Sequence, residues 1–321
     1  MPGPIADLSY RNYTGLLEPP LWRWWVIAKM TMRTSIKKKG FWALAVLSAY
    51  WYVFLGVIFY FIETLGSGAG VALSPVLAKI VWRDQFLNGF NLSQLFLFVL
   101  ALLIGVGTIS NDSRAHALLV YLSKPCTKAD YLIGKWVAIF LILAAVGAVP
   151  TFLFYGYCAL SYSRYGFFTS EPFLVAKLIE MVMLPAAFHA SVCLGVSSLF
   201  NQGRLAGAAY AGIYFMTGAF VLMMRAVYAV DTSLNGRRHL PQTAIHMIGT
   251  LTYASVNGLE NALAKIVLDT DGSGLVPGGR GAGAVVPAPD GLPFGIVYVA
   301  ICAICLLIAW SRIRAVEVVG R

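Results

Sequence analysis

The sequence predicts an all-α polytopic membrane protein: six transmembrane helices, preceded by an N-terminal amphipathic helix lying in the membrane interface. Three observations predict it. Hydrophobic residues make up 59% of the 321 and charged residues only 12%, about half the charged share of an ordinary soluble domain. Apolar runs long enough to cross a hydrocarbon core about 30 Å thick recur at 41–62, 92–110, 136–159, 179–200, 205–224 and 293–311. These runs also divide the charge. With the amino end inside, 15 of the 24 Lys and Arg but only five of the 14 Asp and Glu fall on the inner side, which carries the whole net charge of +10. Lys and Arg accumulate in cytoplasmic loops, so both termini are expected in the cytoplasm. The same siting explains the basic balance without nucleic acid, which would call for a phosphate-binding footprint.

Residues 1–40 form the expected cytoplasmic N-terminus, and their first 20 hold no apolar stretch of signal-peptide length. In the stretch that follows, Lys29, Arg33 and Lys37 recur every four residues as one basic stripe. Trp22, Trp25 and other apolar side chains cover much of the rest, the composition of a helix at headgroup depth in contact with membrane lipid. An ordinary positive flank would need the lysines but not the tryptophans. Residues 41–312 hold the six spans, and 313–321 form a cytoplasmic tail. Five cysteines are scattered, mostly within apolar runs, where a free thiol packs as a small hydrophobe.

The cytoplasmic loop 111–135 is the most informative segment. Ala115, Leu118, Leu119 and Leu122 give one apolar face of a short helix, with Asp112 placed to cap its start. Pro125 removes an amide donor and biases Lys124 away from helix, ending it near Ser123. Thr127 and Asp130 then form a capping-box pattern that starts a second helix running into span three. A bare connection needs only a few polar residues, whereas this one builds a rigid elbow whose apolar face needs a groove.

The remaining polar residues are few. Lys177 and Glu180, three apart near the outer end of span four, suggest an interfacial pair, and His189 reads as a neutral hydrogen-bonded residue. In span five Gly203, Gly207 and Ala211 repeat every four residues, a spacing that permits close helix packing, against this chain or another. The extracytoplasmic loop 231–292 contains Leu259, Leu263, Ile266 and Val267 at helical spacing, with Glu260 early and Lys265 late, so an amphipathic helix is expected to rest on the outer surface. Residues 271–291 are rich in Gly and Pro and are expected to be a flexible linker.

Chemistry is not legible in this chain. The one Gly-Lys pair, Gly134 and Lys135, precedes Trp136 and has no glycine five residues earlier, so no phosphate-binding P-loop is present. The four histidines form no metal-protease motif, and Cys302 and Cys305 have no second pair. Glycines at 279, 281 and 283 lack the flanking strand and helix of a dinucleotide site. We therefore expect no catalytic residues, no metal and no cofactor in the chain itself.

Six spans, a basic helix before the first, and Ile109-Ser-Asn-Asp-Ser-Arg followed by Leu122-Ser-Lys-Pro-Cys-Thr-Lys-Ala-Asp-Tyr-Leu-Ile-Gly-Lys135 resemble the permease subunit of a type-2 ABC exporter. The matching positions are Asp112, Ser123, Pro125, Tyr131, Gly134 and Lys135. The resemblance implies that residues 112–122, with Ser113, Arg114, Leu118, Leu119 and Leu122, act as a coupling helix docking in a separate ATPase subunit, which would hold ATP and Mg. It also implies a second permease, identical or related, and a bacterial inner membrane. Cys126 stands where Leu or Ile is common, and the outer loop is long for the family. Two other readings stay open: an anchoring or maturation subunit acting on a periplasmic partner, and a proton-coupled secondary transporter.

Overall fold

The computed structural model describes residues 22–68, 80–115, 127–163, 167–233, 241–272 and 285–313. Its elements are α1 (Arg23–Ile36), α2 (Phe41–Ser48), α3 (Tyr50–Gly68), α4 (Trp82–Gly105), α5 (Ser110–Arg114), α6 (Lys128–Tyr162), α7 (Phe167–Ser170), α8 (Leu174–Leu199), α9 (Gly203–Ser233), α10 (Gln242–Leu251), α11 (Val256–Leu268) and α12 (Gly291–Arg312). No strand occurs among the described residues. Helices α4, α6, α8, α9 and α12 are each long and apolar enough to cross a membrane. The pair α2 and α3 supplies a sixth span, bent by 41°. The expected single run over 41–62 is therefore a broken one. At the break, the Ser48 hydroxyl donates to the Ala45 carbonyl at 2.7 Å, a local bond that competes with helix continuation.

Helix α8 is the hub, packed against α12, α6, α11 and α4. One core cluster joins Phe98, Leu100 and Ile104 of α4 to Ile139 and Leu143 of α6 and Leu194 of α8. A second, aromatic cluster joins Phe59, Phe86, Phe154 and Tyr162. At 35 residues, α6 rises about 52 Å, well beyond a hydrocarbon core of about 30 Å, so its ends project past the bilayer. Its first turn carries the capping box read from sequence: the Asp130 amide donates to Thr127 Oγ1 at 3.1 Å, and the Thr127 amide donates to Asp130 Oδ2 at 3.0 Å.

Helix α1 is not simply laid on a surface. Its small face, Ala28, Thr31 and Ser35 with Ile27, is buried against the start of α6. Gly134 makes this possible, because a Cβ there would stand 2.6 Å from the Trp24 carbonyl oxygen. Gly134→Ala is therefore expected to push α1 off α6 and cost about 2 kcal/mol, within the range for overpacking. Gly56→Ala, where an added Cβ meets nothing within 4 Å, should leave thermal unfolding of the purified protein unchanged. Thermal unfolding of the two variants checks both expectations.

Helix α11 overturns the surface placement expected for it. Every residue from Gly258 to Lys265 is buried, Leu259, Ala262 and Leu263 among them, as is Leu268 at its end. It folds back against α8, α4, α9 and α12. The amphipathic spacing is the same for a helix lying on a membrane and one inserted between spans. The small residues Gly258, Ala262 and Ala264 let it pack on several sides. Ser255 caps it by accepting the Gly258 amide at 2.9 Å, and it ends at Asp269 in the left-handed region, φ 54°, a conformation that Asp tolerates better than most residues.

Polar ties hold α11 in place. Arg83 of α4 donates to the Asp269 carbonyl at 2.7 Å and pairs with Glu171, while Asp84 pairs with Thr270. Lys177 does not pair with Glu180 but donates to the Leu268 carbonyl at 3.4 Å. Of the segment expected to be a flexible linker, 273–284 lie outside the described residues, whereas its end is pinned: Lys265 Nζ donates to the Val286 carbonyl at 2.6 Å and to the Tyr253 hydroxyl at 3.1 Å.

Burial of Lys265 lowers its pKa to about 8, with Arg225 pulling the same way and Asp271 and Asp84 opposing. An unfolded lysine titrates near 10.4. Between about pH 8 and 10.4 the opened segment holds a proton that the closed one has released, so the closed state gains stability as pH rises through that window. Opening of residues 256–268, read by hydrogen exchange corrected for intrinsic rate, is expected to become rarer over that range. In Lys265→Met this dependence should disappear.

Candidate functional site

The loop 111–135 is described on both sides of a gap: Leu118, Leu119, Leu122 and Pro125 lie outside the described residues. The residues flanking that gap form a brace. Asp112 of α5 does not cap a helix start. Its Oδ2 accepts from the Tyr131 hydroxyl at 2.8 Å and pairs with Lys135 Nζ at 2.8 Å. Tyr131 and Lys135 are one turn apart on α6, hence on one face, while Gly134 beside them seats α1. The Tyr-x-x-Gly-Lys spacing thus ties the end of span two and the base of α1 to the start of span three. Ser113 is half-buried and Arg114 exposed.

Three more elements join the brace, two of them through residues that the sequence reading passed over. Ser197 at the end of α8 accepts from the amides of Ile109 and Ser110, both at 3.0 Å. Lys38, between α1 and α2, donates to the Leu103 carbonyl near the end of α4 at 2.7 Å. Burial, then the Lys135 charge, pulls the Lys38 ammonium below its ordinary pKa. At the start of α9, a Cβ on Gly203 would lie 3.0 Å from Gly107 Cα, so Gly203 packs within the chain. Gly207 faces open space, and Ala211 is half-buried against the core. The three therefore do not share one neighbour. A polar serine or a lysine beside an apolar run carries no mark of a partner 65 to 88 residues away.

A family model described as ABC-2 family transporter protein matches residues 25–267, about three quarters of the chain. The chain belongs to the ABC-2 transporter family. It is a multi-pass membrane protein and the permease component of an ABC transporter, a transport part that is not itself catalytic. No curated protein matches the sequence. The match begins within α1 and ends within α11, so both the basic helix and the inserted helix belong to the ABC-2 region, and α12 lies beyond it.

This ABC-2 permease also carries a buried polar contact far from the brace. His189 of α8 shares a hydrogen bond with the Tyr210 hydroxyl of α9 at 2.7 Å, and its other ring nitrogen lies 3.2 Å from Glu260 Oε1 of α11. All three side chains are buried. The His189–Glu260 contact is poorly angled, so neither Glu260 oxygen has a hydrogen-bond partner among the described residues. Burial holds the Glu260 carboxyl well above the usual carboxylate range. His189 is hydrogen-bonded, as its setting in sequence suggested, but Glu260 was read as a surface residue favouring the helix dipole. No cluster of metal-ligating side chains occurs among the described residues.

Proposed function

We propose that this permease is the membrane half of an ATP-driven exporter, with both termini in the cytoplasm of a bacterial inner membrane. The ATPase is a separate chain holding ATP and Mg, and residues 112–122 dock into it. The observation that carries this reading is the brace. Asp112, Tyr131 and Lys135 lock the two helix ends on either side of the docking segment to each other, with α1, α8 and α9 fastened to the same point. A push on that segment therefore moves spans two and three as one body, which a flexible connection would absorb. Gly207 and Gly218, eleven residues apart and so on one face of α9, meet nothing within 4 Å, which suits close approach by a second permease. The basic stripe Lys29, Arg33 and Lys37, with Trp22 and Trp25, stays exposed on α1, as a helix at the lipid interface requires.

Co-purification tests the docking. Leu118→Asp with Leu122→Asp is expected to abolish recovery of an ATPase with the permease while leaving the permease folded. A fully active complex carrying both substitutions contradicts the reading. The buried His189–Glu260 contact favours a second reading, proton-coupled transport by this chain alone. Proton-driven transport in vesicles, lost in Glu260→Gln and independent of nucleotide, would establish it.

A further inference from the structure

A groove that the reading above leaves unused runs between the bent first span and α6. Its volume is about 720 Å³, within the range of roughly 300–1,000 Å³ typical of small-molecule sites. Its walls are almost wholly apolar, and several of the side chains on them, including Trp42, Val46, Val149 and Leu153, are largely exposed. On α6 the lining extends from Leu141 to Tyr157, about 24 Å of helix rise. That is long enough to take an acyl chain lying along the helix through most of a core about 30 Å thick.

One end of this groove is strongly basic. Ile36 and Phe41 both line it, and the residues between them are Lys37, Lys38, Lys39 and Gly40. Arg33 and Lys37 each follow a groove-lining residue of α1, Met32 and Ile36, by one position. Lys38 is engaged by the Leu103 carbonyl at 2.7 Å, which pins the connector to α4. Arg33, Lys37 and Lys39 remain exposed, and none forms an ion pair among the described residues. No Asp or Glu occurs from residue 22 to residue 62, so α1, the connector and α2 bring no counter-charge of their own.

We propose that the groove is a binding site for one anionic phospholipid, its phosphate held by Arg33, Lys37 and Lys39 and an acyl chain lying along α6. Charge selects the occupant: a zwitterionic lipid would fill the apolar part equally well and offer the same phosphate, but its headgroup nitrogen would bring a further cation to the three already there, so a lipid of net negative charge is favoured. This site does not depend on the proposed coupling to an ATPase, and the exposed sides of α9 and α12 remain available to a second permease.

The test is native mass spectrometry and lipid extraction on the full chain, loaded with phosphatidylglycerol or with phosphatidylcholine of the same chains. One phosphatidylglycerol per chain is expected to be retained in preference to phosphatidylcholine. Arg33→Gln, Lys37→Gln and Lys39→Gln combined should weaken phosphatidylglycerol retention on the order of 100-fold, from about tenfold per 1.4 kcal/mol and the usual contribution of a cation at an anionic surface. Phosphatidylcholine retention should not change. Gly56→Phe should expel both lipids, since Gly56 lines the groove and an added Cβ there meets nothing within 4 Å. Equal retention of the two lipids overturns the proposal. So does phosphatidylglycerol retention that survives both variants, displacement by inorganic phosphate alone, or a partner helix cross-linked to position 56.

Discussion

Asp112→Ala is expected to destabilise the protein by about 3 kcal/mol and to uncouple ATP hydrolysis from transport. One carboxylate oxygen serves both Tyr131 and Lys135, and Tyr131 is fully buried while Lys135 is nearly so. Removing the anion leaves a buried ammonium without its counter-charge, and breaking a buried pair from one side costs roughly 3–5 kcal/mol. The lower figure fits here because Asp112 itself is partly exposed. Asp112→Asn should recover the hydrogen bond to Tyr131 but not the ion pair, giving an intermediate loss. Thermal unfolding in detergent reads the stability, and nucleotide turnover with and without transport reads the coupling. If the brace carries the motion, transport falls further than hydrolysis. Equal losses in both would mean that Asp112 only holds the fold.

Glu260→Ala is expected to cost about 3 kcal/mol, since it removes a fully buried side chain and leaves a cavity where α11 packs on α8. The paired replacement His189→Leu with Glu260→Met should be neutral or more stable than the native chain, because burying the pair already costs desolvation that its poor geometry does not return. The reversal of sign between the single and paired variants is the signature, read in the same unfolding assay. A native pair that stabilises the fold would make the paired variant the worse of the two. If the paired variant is stable but transports poorly, the polar contact serves the movement of α11 against α8 and α9 and not its packing.

The six spans were readable because each is a continuous apolar run, and the start of α6 because Thr127 and Asp130 carry their own local geometry. The elbow was readable in part. Asp112, Tyr131, Gly134 and Lys135 were singled out, but not what they do together, since a carboxylate accepting from two residues of the next span is set by tertiary packing. The Ala28, Thr31 and Ser35 face of α1 is a signal that could have been used: small residues on one side of a helix that is otherwise Trp- and Lys-rich indicate close packing there. Gly134 is the complementary notch. The insertion of α11 had no comparable mark. Leu259 and Leu263 repeat with the period of any amphipathic helix, and a lone Glu260 reads more simply as exposed than as paired with a histidine 71 positions earlier. Lys38 was legible as a basic residue but not as the one that turns inward, because only the fold decides which of three consecutive lysines meets a carbonyl.

The central claim, that the segment between spans two and three docks into a separate motor, is tested most directly by a photo-crosslinking residue at position 118 or 122 in the membrane-embedded, working complex. The account predicts an adduct with a nucleotide-hydrolysing partner, formed from the cytoplasmic side and changed in yield by ATP. No adduct in a complex that transports with ATP, or labelling of those positions by an impermeant reagent added outside, would contradict it.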